Sequence, residues 1–148
     1  AEARGERFDG AKYEFLCEVC DTHVLNSAKH CGQCNRCVND FDHHCRWINN
    51  CVGQKNYRLF FTLICITCLM SAMHNITNIF VIWKFLTEDP EVDQKHMQVF
   101  NRIMTSYLVW VLWFAVICNC SVVGFLGHLI VFHLKLQRMK ISTFDYIR

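Results

Sequence analysis

The stretch that decides the fold runs from Cys17 to Cys51 and reads CEVCDTHVLNSAKHCGQCNRCVNDFDHHCRWINNC. It holds seven cysteines, and near its end an acid, two imidazoles and a thiol occupy consecutive positions as Asp42-His43-His44-Cys45. Its few apolar side chains cannot build a normal hydrophobic core, and domains this small usually need metal or disulfides. We therefore expect short metal-bound hairpins and turns, without long helices.

The spacing of thiols and imidazoles favours zinc. Cysteines separated by two residues, with histidines between the pairs, are typical of zinc sites in a reducing compartment. Six cysteines, His30 and one of His43 or His44 supply ligands for two closed Cys3His sites. Cys45 is then left over, and a spare thiol flanked by histidines is a candidate nucleophile. The alternative is that Cys45 is a ninth ligand or a small packed residue.

Two apolar segments follow the cysteine-rich stretch. Residues 59–86 carry no charge before Lys84, and residues 103–134 contain no Lys, Arg, Asp or Glu. Both exceed the length of about 20 residues that crosses a bilayer core, so we predict two transmembrane helices. A buried helix of a soluble protein is the alternative for each. His128 and His133 are expected to mark the polar end of the second segment.

Charges are distributed unevenly about these segments. Lys55 and Arg58 precede the first, residues 135–148 are basic, and the connecting loop at 87–102 is acidic. The positive-inside rule then places the cysteine-rich stretch and the tail in the cytosol, where thiols stay reduced. The net charge of +2 gives no reason to expect a nucleic-acid partner.

The sequence thus predicts a mainly α membrane protein with a small zinc-bound cysteine-rich domain of hairpins and turns. The expected parts are a linker at 1–16, a zinc-binding catalytic domain at 17–58, a transmembrane helix at 59–86, a lumenal loop at 87–102, a second transmembrane helix at 103–134 and a cytosolic tail at 135–148. No Met stands at residue 1 and no signal sequence opens the chain, so we expect a piece of a longer protein.

The whole spaced pattern is long enough to be specific. It reads Cys17-x2-Cys20-x9-His30-Cys31-x2-Cys34-x2-Cys37-x4-Asp42-His43-His44-Cys45-x5-Cys51-x4-Asn56-x3-Phe60. This pattern resembles the cysteine-rich domain of the DHHC protein S-acyltransferases, the palmitoyltransferases. The segment Ser142-Thr143-Phe144-Asp145 is similar to a family motif, Thr-Thr-x-Glu, that packs against the catalytic region.

The resemblance implies a role for each matching residue. Cys45 would be the nucleophile, His43 its base, and Asp42 the residue that orients the base. Trp47 and Phe60 would help to line the cavity for the acyl chain. The two zinc ions would be held by Cys17, Cys20, His30 and Cys37, and by Cys31, Cys34, His44 and Cys51.

The chain departs from the family pattern in three places. Arg46 stands where the family usually has proline, and Val24-Leu25 replaces a basic residue followed by proline. Family members have at least four spans, so the resemblance implies that this chain is a fragment of a four-span protein.

The implied reaction moves a long-chain acyl group from acyl-CoA, palmitoyl-CoA above all, to a cysteine of a substrate protein. It would pass through an acyl-Cys45 intermediate with ping-pong kinetics. The implied partners are membrane lipid, acyl-CoA and proteins with membrane-proximal cytosolic cysteines, at an endomembrane of the ER or Golgi. The alternatives are a non-catalytic, membrane-anchored zinc-binding adaptor and a fragment of a transporter or channel.

The fatty chain needs a long cavity. An extended sixteen-carbon chain spans about 20 Å, the length of about 13 helical residues. From Cys45 it would run beside the first span, where helical spacing aligns Phe60, Leu63, Thr67, Met70 and His74 in one stripe. Leu63 and Met70 would then line the cavity, unless the stripe simply packs against further spans.

Overall fold

The computed structural model describes residues 15–87 and 102–148. Within these ranges, six three-residue strands precede two long helices and a short one. They are β1 (Phe15–Cys17), β2 (Thr22–Val24), β3 (Lys29–Cys31), β4 (Arg36–Val38), β5 (His43–Cys45), β6 (Asn50–Val52), α1 (Tyr57–Leu86), α2 (Arg102–Met139) and α3 (Thr143–Ile147). Nearly all of the predicted linker at 1–16 and of the predicted loop at 87–102 lies outside the described residues.

The six strands form three antiparallel hairpins, β1–β2, β3–β4 and β5–β6. The hairpins recur every 14 residues, since Phe15, Lys29 and His43 open them. Each hairpin turn ends on a residue with positive φ, namely Asp21 (46°), Asn35 (47°) and Asn49 (46°). Asp and Asn adopt this left-handed conformation more readily than other non-glycine residues. The same hairpin structure therefore occurs three times in the sequence, a repeat that the cysteine spacing alone did not predict.

The chain divides into two compact units. One contains the hairpins and the start of α1 up to Phe61, together with His133–Arg148, and the other is Thr62–Phe132. In the hairpin unit, the buried apolar side chains and thiols are few: Ala28, Cys31, Cys45, Cys51, Val52, Phe60 and Leu136. The predicted small domain of short strands is confirmed, and its core is as thin as the sequence indicates.

The two long helices are apolar along most of their length. α1 has 30 residues and α2 has 38, and both are long and apolar enough to cross a membrane. Large apolar side chains on them are exposed, including Leu69 at 61%, Trp110 at 72% and Phe114 at 69%. The core helix of a soluble protein would bury such side chains, whereas lipid is the natural surrounding for an exposed apolar surface of this size.

Several hydroxyl groups in the Thr62–Phe132 unit form hydrogen bonds within their own helix. Three hydroxyls donate to the carbonyl four residues earlier, namely Thr67 to Leu63, Thr77 to Met73 and Ser121 to Ile117. Such bonds hide the hydroxyl within its own helix, which suits a medium without water. The buried Asn75 instead donates to Cys120 Sγ, 3.5 Å away, and so links α1 to α2 inside this unit.

The helix boundaries differ from the sequence prediction. α1 begins at Tyr57, two residues early, and α2 continues to Met139, beyond the predicted end at 134. The prediction followed apolar character and stopped before Lys135, but charged residues continue a helix well. Lys140, the first residue after α2, has a positive φ of 56°, and the N–H of the next residue, Ile141, donates to the Leu136 carbonyl at 3.2 Å. This six-to-one bond around a left-handed residue is a common helix C-terminus.

Gly53 connects β6 to α1 at a point where the chain is crowded. Its N–H donates to Asn56 Oδ1 at 2.9 Å, and its carbonyl accepts the Tyr57 N–H at 2.9 Å. A Cβ at Gly53 would lie 2.8 Å from Val38 Cγ1 and 2.9 Å from the carbonyl oxygen of Asn39. Because one of these neighbours is backbone, it cannot move aside easily.

We predict that Gly53→Ala destabilises the hairpin unit by about 1–3 kcal/mol, because the added methyl group overpacks this junction. The shift of the thermal or urea unfolding midpoint of the zinc-loaded protein would measure the loss. Gly32→Ala is the matched control, since a Cβ at Gly32 meets no atom within 4 Å. Equal stability of the two variants would contradict the prediction.

Candidate active site and metal centres

Two groups of thiols and imidazoles lie within the hairpin unit. In each group, the four possible ligand atoms are all within 4.8 Å of one another. The groups are Cys17, Cys20, His30 and Cys37, and Cys31, Cys34, His44 and Cys51. These are the two interleaved sets that the resemblance implies, and the structure brings each set together.

The alternation of side chains along a strand explains the interleaving. Successive residues of a strand point to opposite faces, so His30 and Cys31 of β3 belong to different groups. Across the hairpins, His30 lies directly opposite Cys37, and His44 lies directly opposite Cys51. The second and third hairpins each present a cross-strand His–Cys pair, which completes the thiol pair carried by the hairpin before it.

The atoms of the first group have the spacing of a tetrahedral site. His30 Nδ1 lies 3.3 Å from Cys20 Sγ and 3.8 Å from the Sγ atoms of Cys17 and Cys37. The two sulfurs of Cys20 and Cys37 are 3.7 Å apart. Four-coordinate zinc, with Zn–S of about 2.3 Å and Zn–N of about 2.1 Å, separates its ligand atoms by about 3.6–3.8 Å. The donor set and its geometry therefore fit zinc.

The second group has the same geometry. His44 Nδ1 lies 3.4 Å from Cys34 Sγ, 3.7 Å from Cys31 Sγ and 3.8 Å from Cys51 Sγ. Burial and the neighbouring thiols Cys34 and Cys31 raise the pKa of Cys51 to about 12. Thiolates this close repel one another, so all of them can ionise only around a cation. Both groups could thus hold a metal ion.

Cys45 lies outside both groups. It occupies in the third hairpin the position that Cys17 and Cys31 occupy in the first two. The first two hairpins carry a second thiol three residues later, whereas the third carries Ile48 there. Cys45 is buried, and among the described residues it is not part of a group that could hold metal. The arrangement therefore favours a spare thiol over a ninth ligand.

The two histidines of β5 point to opposite faces of the strand. His44 joins the second thiol group, and alternation along the strand directs His43 and Cys45 to the opposite face. The count of ligands in the sequence allows either His43 or His44 to join the second thiol group. In the structure, His44 lies with Cys31, Cys34 and Cys51.

Asp42 contacts one ring nitrogen of His43. Its Oδ2 is 2.7 Å from His43 Nδ1 and accepts the Thr143 hydroxyl at 2.7 Å, while Oδ1 accepts the Thr143 N–H at 2.9 Å. Burial alone would raise the pKa of Asp42, but hydrogen bonds from His43 and Thr143 outweigh burial and lower it. The ionised carboxylate can only accept, so it places the hydrogen of His43 on Nδ1 and leaves Nε2 as an acceptor.

Thr143 reaches Asp42 because α3 is capped just before it. The Ser142 hydroxyl oxygen accepts the Asp145 N–H at 3.0 Å, and the hydroxyl donates to Asp145 Oδ2 at 2.7 Å. The neighbouring Phe144 packs edge-on against Phe41, with 5.8 Å between ring centres. The segment 142–145 therefore contacts the candidate active site through Asp42 and Phe41.

One ring from each of the two long helices packs against His43. The ring centres of Phe60 and His133 lie 5.2 and 5.7 Å from that of His43. His133 is only 1% exposed, and its Nδ1 is 3.1 Å from the Tyr57 hydroxyl. His133, which the sequence predicts to mark the polar end of the second segment, therefore also belongs to the cluster of rings around His43. An ionisable residue inside an apolar segment was the signal that could have found it.

The side chains expected to line an acyl cavity have different environments. Phe60 is buried against His43, whereas Trp47 is 84% exposed on the turn between β5 and β6. Leu63 and Met70 belong to the Thr62–Phe132 unit and are 49% and 61% exposed. Phe60 contacts His43 and thus lies at the described site.

We predict that Thr143→Val destabilises the hairpin unit by about 1.5–3 kcal/mol, the contribution of a hydrogen bond to a buried charged group. The change keeps the shape of the side chain but removes one donor to Asp42. Thr143→Ser keeps that donor and is the matched control. Urea unfolding of both zinc-loaded variants measures the effect, and equal losses in the two would show that the hydroxyl contributes nothing.

Comparisons with known proteins agree with this arrangement. The family model "DHHC palmitoyltransferase" matches residues 11–148. Probable palmitoyltransferase ZDHHC11B of Homo sapiens is 32% identical over 160 residues, covering 95% of this chain and 43% of the relative. Palmitoyltransferase ZDHHC11 of Homo sapiens is also 32% identical over 160 residues, covering 95% of this chain and 39% of the relative.

A plant relative gives the same result. Probable protein S-acyltransferase 20 of Arabidopsis thaliana is 32% identical over 151 residues, covering 99% of this chain and 21% of the relative. The chain spans less than half the length of these curated relatives. The two apolar helices and the family together indicate a membrane protein. Because the family model covers nearly the whole sequence, the chain belongs to the DHHC palmitoyltransferase family.

Proposed function

We propose that this chain carries the active site of a protein S-acyltransferase that uses Cys45 as its nucleophile. The acyl donor is a long-chain acyl-CoA, with palmitoyl-CoA the favoured one, and the acceptor is a cysteine of a substrate protein. One observation carries the proposal: β5 directs His44 to a thiol group and directs His43, fixed 2.7 Å from Asp42, to the face that bears Cys45. The names of the relatives, palmitoyltransferase and protein S-acyltransferase, support the same reaction.

The first step acylates the enzyme. His43 Nε2 takes the proton of Cys45, and the thiolate attacks the carbonyl carbon of the acyl-CoA thioester. The bond from that carbon to the CoA sulfur breaks, and CoA leaves as a thiol after taking the proton from His43. Asp42 stabilises the imidazolium that forms between these transfers, and Thr143 keeps the carboxylate in place.

The second step transfers the acyl group to the acceptor. A cysteine thiol of the substrate protein gives its proton to His43 and attacks the acyl-Cys45 carbonyl carbon. The carbon–sulfur bond to Cys45 breaks, and the returning proton restores the thiol. Thioester exchanges for thioester in both steps, so catalysis depends on positioning and on thiolate formation. The order of events gives ping-pong kinetics.

Zinc is the proposed ion in both thiol groups. Each group offers four protein ligands, which is the closed arrangement of structural sites, so bound zinc would cross-link the hairpins. The cross-link would hold β5, and with it His43 and Cys45, in a unit whose apolar core is thin. The proposed orientation, with this unit in the cytosol, rests on Lys55, Arg58 and the basic residues after 134. There it would meet membrane-proximal cysteines of its substrates.

We predict two zinc ions per chain, with unfolding of the hairpin unit when a chelator removes them, because the binding energy of a structural metal is folding energy. Metal analysis of the purified protein and its circular dichroism before and after chelation test this. Well-folded protein with one zinc ion or none would refute the assignment.

We predict different outcomes for three neighbouring substitutions. Cys45→Ser abolishes labelling by a clickable acyl-CoA yet keeps both zinc ions, and His43→Ala slows labelling by about 100- to 10,000-fold through loss of the base. His44→Ala, in contrast, releases a zinc ion. Loss of zinc from Cys45→Ser would make Cys45 a ligand. A wild-type protein with both zinc ions but no hydroxylamine-sensitive label would point to the adaptor alternative.

We predict that Met70 influences chain-length preference if the proposed stripe on α1 lines the acyl cavity. Met70→Phe should shift preference towards shorter chains because it fills space, and Met70→Ala should admit longer ones. Competition among fourteen-, sixteen- and eighteen-carbon acyl-CoAs in the full-length protein measures the shift. Unchanged preference in both variants, with normal labelling of Cys45, would place the fatty chain elsewhere.

A further inference from the structure

The His43 ring contacts a second imidazole, that of His133. The ring centres are 5.7 Å apart with an interplanar angle of 40°, and His133 is almost fully buried. A buried imidazole beside the proposed base is not explained by the two steps above. His133 lies near the C-terminal end of α2, 90 residues after His43 in the sequence.

A hydrogen-bonded chain fixes His133. Gln137 Nε2 donates to the Tyr57 hydroxyl oxygen at 3.4 Å, and this oxygen is 3.1 Å from His133 Nδ1. Because the Tyr57 oxygen already accepts from Gln137, its own hydrogen is available for His133 Nδ1. His133 and Gln137 are four residues apart and therefore share one face of α2. The Tyr57 hydroxyl thus ties this face to the first turn of α1.

Aromatic packing completes the support around His43. Phe60 lies one turn after Tyr57 on the same face of α1, and its ring centre is 5.2 Å from both His43 and His133. Asp42 fixes one ring nitrogen of His43, but a single hydrogen bond leaves the ring free to tilt about that contact. Phe60 and His133 pack against the His43 ring and restrict this tilt. The Tyr57 hydroxyl determines where His133 lies.

We propose that His133, held by Tyr57, is a positioning residue that keeps the His43 ring in the orientation needed to deprotonate Cys45. This inference deepens the proposed function and rests on it.

Oxygen or nitrogen atoms of Asp42, His43 and His133 also lie within 4.8 Å of one another, a spacing that could suit a metal ion. However, the Asp42 carboxylate already accepts hydrogen bonds from His43 and Thr143, and such an arrangement favours orientation of the ring.

The test compares Tyr57→Phe, His133→Phe and the double variant in the zinc-loaded, full-length protein. His128→Phe is the matched control, because it makes the same chemical change at an exposed position of α2. Two rates are measured for each variant. One is the maximal rate of acyl-enzyme formation with palmitoyl-CoA, and the other is the rate of Cys45 alkylation by iodoacetamide, followed by mass spectrometry of the Cys45 peptide.

Each single variant should lower both rates by about ten- to one-hundredfold, the usual effect of a misplaced catalytic group. The palmitoyl-CoA concentration at half-maximal rate should stay the same, since binding is not affected. The double variant should be no slower than His133→Phe, because Tyr57 acts through His133. His128→Phe should match the wild type, and all variants should keep both zinc ions.

Three results would overturn the inference. They are rates within twofold of the wild type in His133→Phe, effects of the two substitutions that multiply in the double variant, and a change confined to the half-maximal palmitoyl-CoA concentration. If His133→Phe does not fold, Tyr57→Phe decides alone, since it removes one hydroxyl and keeps both imidazoles. Wild-type rates in Tyr57→Phe would then refute the proposal.

Alkylation separates this inference from the proposed function. If the wild type takes no acyl label but the variants still slow the alkylation of Cys45, the acyltransferase proposal fails and the positioning role stands. If the wild type is labelled and alkylation is equally fast in every variant, the acyltransferase proposal stands and the positioning role fails.

Discussion

The alternation of side chains along three-residue strands is the constraint on which the hairpin unit depends. Because neighbouring residues of a strand face opposite ways, the pair His30-Cys31 serves two different thiol groups. The same rule sends His44 to the second group and directs His43 and Cys45 to the other face. The second thiol group and the proposed active site therefore lie on opposite faces of β5, and a shift of the strand's register by one residue would exchange the two faces.

The 14-residue repeat gives this arrangement a simple origin. Each of the first two hairpins carries two thiols, and the next hairpin completes a four-ligand group with a His–Cys pair. The third hairpin keeps the thiol, Cys45, but has Ile48 where the earlier hairpins have their second cysteine. Its thiol is thus presented in the same local setting as a metal ligand, yet without the partners that would bind metal. A nucleophile needs the same fixed position, which the repeat supplies.

Asp42 connects this unit to the end of the chain. Thr143, 101 residues later, donates both its N–H and its hydroxyl to the carboxylate. These bonds outweigh the effect of burial and keep the pKa of Asp42 below its ordinary value, so the group that orients His43 remains charged. The Asp42–Thr143 contact in turn requires that the chain reverse after α2, which it does at the left-handed Lys140. The stability of the site therefore depends on a helix end far from the cysteines in sequence.

The sequence by itself determined the ligand inventory, the spare thiol, the short hairpins and the two apolar segments. These features follow from residue spacing and side-chain chemistry, which can be evaluated without knowledge of any tertiary contact. Only the tertiary structure decided that Thr143 bonds to Asp42, that Tyr57 fixes His133, and that His133 lies beside His43. The two hydrogen-bonded pairs join residues 101 and 76 positions apart in the chain. No local sequence pattern encodes which residues meet over such distances.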